Sequence, residues 1–291
     1  MRYWIVSLKK SMNKRIGLII PPSPFLCDER VFVSLGILRI AAVLKQKNYP
    51  VDVLDLSGIK NYEKVIQDYL VSSGSSKFAI TSTTPQMPQA TKICKIIREY
   101  KPEGRIVIGG PHVTAVSVAR KNETKKGIIG RGHKAFQRVA NIADIMVAGD
   151  GEEAIFIALE DKPLPLIDAD DPTSSLFLTK EQLSDLPFPA RELIDLDSYH
   201  YYIDGERATS MMFEQGCPFS CRFCSQRASP SFRRVRPRTI GRILEEIKEI
   251  AKVWGFRAIQ IYDDEIGLVQ SKIISDLKAI IDLQEKIGID L

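Results

Sequence analysis

Short β-rich runs alternate with helix-like patterns through the first half of this chain of 291 residues. The strand-like runs are residues 15–20, 51–55, 77–81, 105–108 and 144–147. Strands that alternate with helices fold as right-handed βαβ units around a parallel sheet. We therefore predict an α/β, Rossmann-like domain over residues 14–160, with five parallel strands in the flavodoxin-like order 2-1-3-4-5.

Loop-forming residues follow these strands, at the edge where a parallel sheet of this type binds its ligand. Glycine permits a close approach of backbone to ligand, and hydroxyl groups can hydrogen-bond it. The same residue types are also common in ordinary strand-to-helix turns. The candidate binding residues in these loops are Pro22, Ser82, Thr83, Thr84, Gly109, Gly110, Pro111, His112, Gly149, Gly151 and Glu152.

Composition narrows the class of protein. Hydrophobic residues make up 44% and charged residues 26%, which is ordinary for a globular protein. The net charge is only +5, and basic residues do not alternate with aromatic ones in a stripe, so nucleic acid is not a predicted ligand. No apolar run is long enough for a membrane span. Five cysteines, three of them clustered, predict a reducing, cytoplasmic location rather than a disulfide framework.

The three clustered cysteines are Cys217, Cys221 and Cys224, in the spacing C-x3-C-x2-C. Thiolates this close can hold an iron–sulfur cluster and leave one iron open to a substrate. A structural zinc site and ordinary buried cysteines are the alternatives. Closed zinc sites use four ligands, and no fourth cysteine or histidine lies nearby in the sequence.

A second domain follows a Pro- and Asp-rich stretch, residues 161–205, which we interpret as an interdomain linker. Residues 206–291 contain a strand at 209–213, a helix at 239–253, a strand at 258–262, a helix at 271–286 and the beginning of a third strand at 287–291. The cysteines and the acidic run Asp263, Asp264 and Glu265 each follow a strand, as functional residues do in β/α barrels.

The residues Cys217, Cys221, Phe223 and Cys224 resemble the C-x3-C-x-aromatic-C signature of the radical S-adenosylmethionine superfamily. The resemblance implies a 4Fe–4S cluster on the three cysteines, with S-adenosylmethionine on the unique iron and cleaved to a 5′-deoxyadenosyl radical. It also implies that Phe223 flanks the adenine and that Asp263, Asp264 and Glu265 lie near the methionine moiety. A small-molecule substrate and an electron donor of the flavodoxin or ferredoxin type are expected partners.

The loop sequences Pro-Pro, Ser-Thr-Thr, Gly-Gly-Pro-His and Gly-Asp-Gly-Glu-Glu resemble the cobalamin-binding domain that precedes the radical domain in one branch of this superfamily. The resemblance implies that these loops enclose the corrin ring and its nucleotide tail. Asp150 stands where the family usually has glutamate. The chain also has no Asp-x-His-x-x-Gly motif, so we expect no histidine on the lower face of the cobalt.

The common reaction of such enzymes is methyl transfer to an unactivated carbon or phosphorus, and this is the activity that the resemblance implies. The chain holds only the first part of a radical barrel, so we expect a truncated sequence, and we expect translation to begin at Met12. The alternative is a catalytically inactive or truncated cobalamin-binding module. A methylthiotransferase is disfavoured because Cys27 and Cys94 do not form a second three-cysteine cluster.

Overall fold

A computed structural model describes residues 15–287 of the chain. The predicted translation start at Met12 and the run 288–291 of the predicted last strand lie outside these residues. Ile287, where the sequence predicts that strand to begin, is instead the last residue of a helix. No helix among the described residues is both long and apolar enough to cross a membrane.

The first sheet has six parallel strands in the order β2-β1-β3-β4-β5-β6. Their bounds are β1 Ile16–Ile20, β2 Val51–Asp55, β3 Lys77–Thr81, β4 Arg105–Gly109, β5 Ile145–Gly149 and β6 Leu166–Ala169. The α/β class, the first five strands and their order are as predicted from the sequence. All these strands end at the same edge, where the predicted binding loops begin.

Helices cover both faces of this sheet because successive side chains of a strand point to opposite faces. The helices are α1 Leu35–Gln46, α2 Tyr62–Ser72, α3 Met87–Tyr100, α4 Pro111–Lys125, α5 Arg131–Ala140 and α6 Gly151–Ala158. Leu18 and Ile20 pack against α1 and α6 in one core. Ile19 packs against α2, α3 and α4 in a second core on the opposite face.

The basic stretch between β4 and β5 is a helical hairpin formed by α4 and α5. Glu123 near the end of α4 accepts hydrogen bonds from the backbone N–H groups of Gly130, Gly132 and His133, at 3.0, 2.8 and 2.9 Å. These bonds and the His133 ring hold the pKa of Glu123 at about 2. The carboxylate thereby caps the beginning of α5.

The prediction of five strands is corrected by β6, which lies in the stretch interpreted as a linker. It pairs in parallel with β5, from Met146 opposite Leu166 to Gly149 opposite Ala169. This strand has four residues and follows directly on Pro165, so its pattern is too short to be distinguished from a Pro-rich connection. The same stretch forms the short helix α7, Lys180–Asp185, and two 3-10 turns, Arg191–Leu193 and Leu196–Ser198.

The second sheet has the order β11-β8-β7, with β8 and β11 parallel and β7 antiparallel to β8. The elements of this region are β7 Tyr202–Ile203, β8 Glu206–Met211, β9 Glu214–Gln215, α8 Pro230–Arg233, β10 Arg236–Pro237, α9 Ile240–Lys252, β11 Ala258–Ile261 and α10 Gln270–Ile287. Leu35 and Leu38 of α1 pack in one core with Ile243 and Ile247 of α9. The two sheets are thus joined through a shared apolar cluster.

Candidate functional site at the carboxyl edge of the first sheet

A cavity of about 360 Å³ opens at the carboxyl edge of the first sheet. Its floor is apolar and is formed by same-face side chains of four strands, namely Leu18, Ala79, Val107 and Val147. The opposite wall comes from α1 and α6 and includes Gly36, Ile37, Ile40, Gly151 and Ile155. The volume lies within the range of about 300–1,000 Å³ that is typical of ligand pockets. The cavity therefore penetrates between the sheet and its helices instead of resting on the loops.

Glycines at the rim are required by the backbone geometry. Gly149 has φ +86°, and a Cβ there would lie 2.3 Å from the amide nitrogen of Asp170. Gly110 has φ +96°, and a Cβ there would lie 2.8 Å from the amide nitrogen of Ser82. Any other residue would both adopt a disfavoured conformation and clash with the backbone. These two loops are consequently held in the conformation that opens the cavity.

The structure divides the candidate binding residues into two groups. Six of them line the cavity: Gly109, Gly110, Pro111, Gly149, Gly151 and Glu152. The other five, which lie outside its lining, are Pro22, Ser82, Thr83, Thr84 and His112.

The residues outside the lining have roles within the loops. Ser82 is fully buried, and its backbone N–H donates to the Gly109 carbonyl at 3.0 Å, so it ties β3 to β4. The Thr84 hydroxyl pairs with Nδ1 of His112 at 3.0 Å. Burial lowers the pKa of His112. None of the described residues that line the cavity is a histidine.

Charged side chains lie at one end of the cavity. Arg39 of α1 faces Glu152, with Nη1 and Oε1 3.4 Å apart. Burial raises the pKa of Glu152, and the Arg39 guanidinium acts against this shift. Asp150, in the same loop, forms a buried bidentate pair with Arg236, with Nη–Oδ distances of 2.5 and 2.9 Å. Asp150 therefore links the cavity loop to the second domain.

The second domain provides a wall of the cavity that sequence reasoning missed. Its residues there are Met212, Gln215, Gln226, Ser229, Ser231 and Phe232. The Ser229 and Ser231 hydroxyls both donate to Asp170 Oδ1, at 2.6 and 2.5 Å. Asp170 follows β6, the strand that the sequence pattern did not reveal. No sequence signal pairs these residues, because the contact depends on how the domains pack.

The cysteine loop, residues 216–235, follows β9 and is closed at its base by the β9–β10 pair, in which Gln215 lies opposite Arg236. The backbone N–H of Cys217 donates to the Phe232 carbonyl at 2.7 Å, which adds a second tie across the base. Cys217 and Cys224 are partly exposed, Cys221 is exposed, and all three thiols are free. Phe223 is 91% exposed.

The three cysteines have the chemistry of a cluster site but are not gathered into one. Within residues 15–287, no three cysteine, histidine or carboxylate side chains lie close enough together to hold a metal ion. The thiols nevertheless share one short, accessible loop at the carboxyl end of a strand, and thiolates are the usual ligands of iron–sulfur clusters. The donor set therefore suits a cluster, provided that the loop closes around it.

Asp263 and Asp264 brace the base of the cysteine loop. Asp263 accepts from the backbone N–H groups of Phe213 and Glu214 at 2.8 and 3.1 Å. Asp264 accepts from the N–H of Gly216 at 3.0 Å. Burial raises the pKa of Asp263 to about 6. Each carboxylate keeps further lone pairs, so these bonds leave both residues able to accept another donor.

The sequence matches two protein families, one for each half of the site. Residues 26–140 match the B12 binding domain, and residues 211–290 match the Radical SAM superfamily. The first match lies within the α/β domain whose sheet carries the cavity. The second match begins at the end of β8 and contains the cysteine loop. The predicted cofactor set of cobalamin, a 4Fe–4S cluster and S-adenosylmethionine agrees with both families.

Relatives align with most of the chain. The chain is 24% identical over 273 residues to an uncharacterized methyltransferase of Pyrococcus horikoshii, covering 89% of this chain and 55% of that protein. It is 25% identical over 212 residues to an anaerobic magnesium-protoporphyrin IX monomethyl ester cyclase of Cereibacter sphaeroides, covering 67% of this chain and 31% of that protein.

Solved structures share the fold. The radical S-adenosylmethionine methyltransferase TsrM of Kitasatospora setae, solved with cobalamin and a [4Fe-4S] cluster, superposes with a TM-score of 0.65 at 14% identity, covering 94% of this chain and 52% of that one. The cobalamin-dependent S-adenosylmethionine radical enzyme OxsB superposes with a TM-score of 0.60 at 14% identity, covering 96% of this chain and 37% of that one. This chain thus spans about half or less of each relative. It carries a match to the B12 binding domain ahead of a match to the Radical SAM superfamily, in one chain.

Proposed function

We propose that the chain binds cobalamin in the cavity and a 4Fe–4S cluster with S-adenosylmethionine at the cysteine loop, for methyl transfer to an unactivated carbon or phosphorus of a small molecule. One observation carries the proposal: the second domain's residues Gln226, Ser229, Ser231 and Phe232 form a wall of the cavity that the glycine loops open. Ligands bound at the two places would therefore face one another.

The cavity suits part of a cobalamin molecule. Its apolar floor and the small residues Gly36 and Ala79 would admit the nucleotide tail between the sheet and α1. The rim, with Gly109, Gly110 and Gly149, would let the corrin ring approach the backbone closely. A volume of about 360 Å³ holds only a portion of so large a ligand, so the ring would lie at the mouth.

The cysteine loop would hold the cluster through Cys217, Cys221 and Cys224, with Asp263 and Asp264 fixing the backbone at its base. Phe223, which is exposed, is available to flank an adenine, and Glu265 lies beside the two aspartates in the sequence. When bound, the cluster with S-adenosylmethionine would supply a carbon-centred radical and cobalamin a transferable methyl group. An electron donor of the flavodoxin or ferredoxin type would reach the cluster from the exposed side of the loop.

Anaerobic reconstitution with iron and sulfide tests this assignment. Electron paramagnetic resonance of the reduced protein should give a 4Fe–4S signal that shifts when S-adenosylmethionine is added. Separate replacements of Cys217, Cys221 and Cys224 by alanine should abolish the shift, while Cys27→Ala, in an exposed cysteine outside the loop, should leave it unchanged. A shift that survives any of the three loop replacements would refute the cluster assignment.

A cobalamin-binding module without catalysis is the second candidate. The observation that favours it is that the floor of the cavity and its helical wall come from the first domain alone, without the cysteine loop. Titration with hydroxocobalamin, followed by absorbance, separates the two. Saturable binding without any response of a reconstituted cluster to S-adenosylmethionine would support the module. Saturable binding together with that response would support the enzyme.

A further inference from the structure

Gln226 joins the cysteine loop to the rim of the cavity. It lies two residues after Cys224, and its side-chain Nε2 donates to the carbonyl oxygen of Pro111 at 2.8 Å. Pro111 is the first residue of α4 and belongs to the Gly-Gly-Pro-His loop that lines the cavity. A side chain of the predicted cluster loop thereby bonds directly to the backbone of the predicted cobalamin loop.

Backbone hydrogen bonds connect the segment around Gln226 to the third cysteine. The N–H of Arg227 bonds to the Cys224 carbonyl at 3.4 Å, and the N–H of Ser229 bonds to the Gln226 carbonyl at 2.9 Å. A cluster bound to Cys224 would fix a residue that lies two positions before Gln226. The segment that holds Gln226 is thus tied to the loop that would hold the cluster.

Hydrogen bonds tolerate only small changes of length, with N–H···O distances of about 2.7–3.2 Å. The bond from Gln226 to Pro111 therefore holds the two loops at a nearly fixed distance, so a cluster that orders the cysteine loop would also order the rim of the cavity. We propose that Gln226 is a positioning residue that couples cluster assembly to cobalamin binding, such that each favours the other. This inference rests on the function proposed above.

Cluster assembly and cobalamin binding must affect each other equally, and typical coupling energies set the expected size of the effect. If the cluster-bound loop increases the affinity for cobalamin, bound cobalamin must stabilise the cluster-bound loop by the same factor. Couplings of this kind are typically about 5- to 150-fold. Loss of one hydrogen bond places the expected effect at the lower end of that range. We expect cluster assembly to lower the dissociation constant of hydroxocobalamin by a factor of about five or more in the wild type. Without the Gln226 amide, we expect a factor of about one.

The test is a pair of hydroxocobalamin titrations under anaerobic conditions, on iron-free and on reconstituted full-length protein, with the dissociation constant read from absorbance. Gln226→Met keeps the length of the side chain and removes its amide. Gln137→Met is the matched control, because it removes the same amide from an exposed glutamine of α5, whose Nε2 donates to Asn141 Oδ1 at 2.8 Å and which lies outside the cavity lining. Circular dichroism melting checks that both variants fold as the wild type does.

We expect reconstitution to tighten hydroxocobalamin binding in the wild type and in Gln137→Met, but not in Gln226→Met. Removal of iron by a chelator should likewise be slowed by hydroxocobalamin in the wild type and unaffected by it in Gln226→Met. An equal dissociation constant with and without the cluster in the wild type, or an undiminished ratio in Gln226→Met, would overturn the coupling while leaving the proposed function intact. Wild-type protein that binds no hydroxocobalamin in either form would overturn both.

Discussion

Gly36 offers the most direct test of the cavity as a ligand site. It is the second residue of α1 and lines the cavity, and no protein atom lies within 4 Å of the position that a Cβ would occupy there. The first atom of a larger side chain at this position would therefore lie in open space, and the remaining atoms would enter the cavity. Gly36→Leu should weaken cobalamin binding while the fold remains intact.

The prediction is specific because the substitution should act in opposite directions on the stability of the fold and on the affinity for cobalamin. Replacing glycine by a good helix former stabilises a helix by at most about 1 kcal/mol, and by less in the first turn. Forcing extra atoms into an occupied space costs about 1–3 kcal/mol. At about 1.4 kcal/mol for each tenfold change in affinity, that cost corresponds to roughly 5- to 150-fold weaker binding. The variant should thus be as stable as the wild type, or slightly more so, and bind hydroxocobalamin less well.

Gly241→Leu is the matched control. Gly241 is also the second residue of its helix, α9, and the position of a Cβ on it likewise has no neighbouring atom within 4 Å, but Gly241 does not line the cavity. Absorbance titration with hydroxocobalamin and urea unfolding would be measured on both variants and on the wild type. Equal affinities of Gly36→Leu and the wild type would refute the placement of the ligand between α1 and the sheet. A similar loss in both variants would point to an effect of the substitution on the fold.

Three further predictions concern single residues. Asp150→Asn leaves Arg236 buried beside a neutral amide, so the free energy of unfolding should fall by about 3–5 kcal/mol in urea titration; an unchanged midpoint would contradict the contribution of this pair. Glu123 has a pKa of about 2, below its ordinary value of 4.5, so its stabilisation of α5 is present above pH 4.5 and is lost as the pH falls towards 2. Hydrogen exchange in residues 131–140 should therefore already be fast at neutral pH in Glu123→Gln, and slow exchange in that variant would refute the cap. Burial raises the pKa of Cys94 to about 12, so iodoacetamide should label the native iron-free protein at Cys27 and the loop cysteines but not at Cys94, and mass spectrometry that finds Cys94 labelled would contradict its burial.

The sequence pattern was enough for the first five strands because each has at least three apolar residues in five and is bounded by turn residues. The sixth strand escaped it, since Leu166–Ala169 has only four residues, two of which are buried, and lies among prolines and aspartates. Its backbone hydrogen bonds come from pairing with β5, and so short a sequence pattern does not predict this pairing. A strand of this kind is defined by its neighbour in the sheet more than by its own composition.

The candidate site was predictable to the extent that it depends on local backbone geometry. Glycine is required at positions 110 and 149 by the φ angles there and by close backbone contacts. Such a requirement is visible in the sequence as a glycine after a strand. No sequence pattern identifies Gln226 and Ser231, because their place in the site arises from contact with residues of another domain. Ser82 and His112 lie outside the cavity lining, and their polar groups join the loop after β3 to the loop after β4.

Buried ion pairs explain why the two halves of the site keep one orientation. Arg236 pairs with Asp150 of the cavity loop, and Glu246 of α9 pairs with both Arg191 and Arg238, at 2.8 and 2.7 Å. Breaking such a pair leaves an uncompensated charge in a low-dielectric interior. Any rotation of the second domain on the first that separates Arg236 from Asp150 would have this cost, whereas sliding apolar side chains past one another would have a much smaller one. The wall that holds Gln226 is consequently held in register with the glycine loops by charge pairing, and the shared apolar cluster of α1 and α9 adds stability without adding that register.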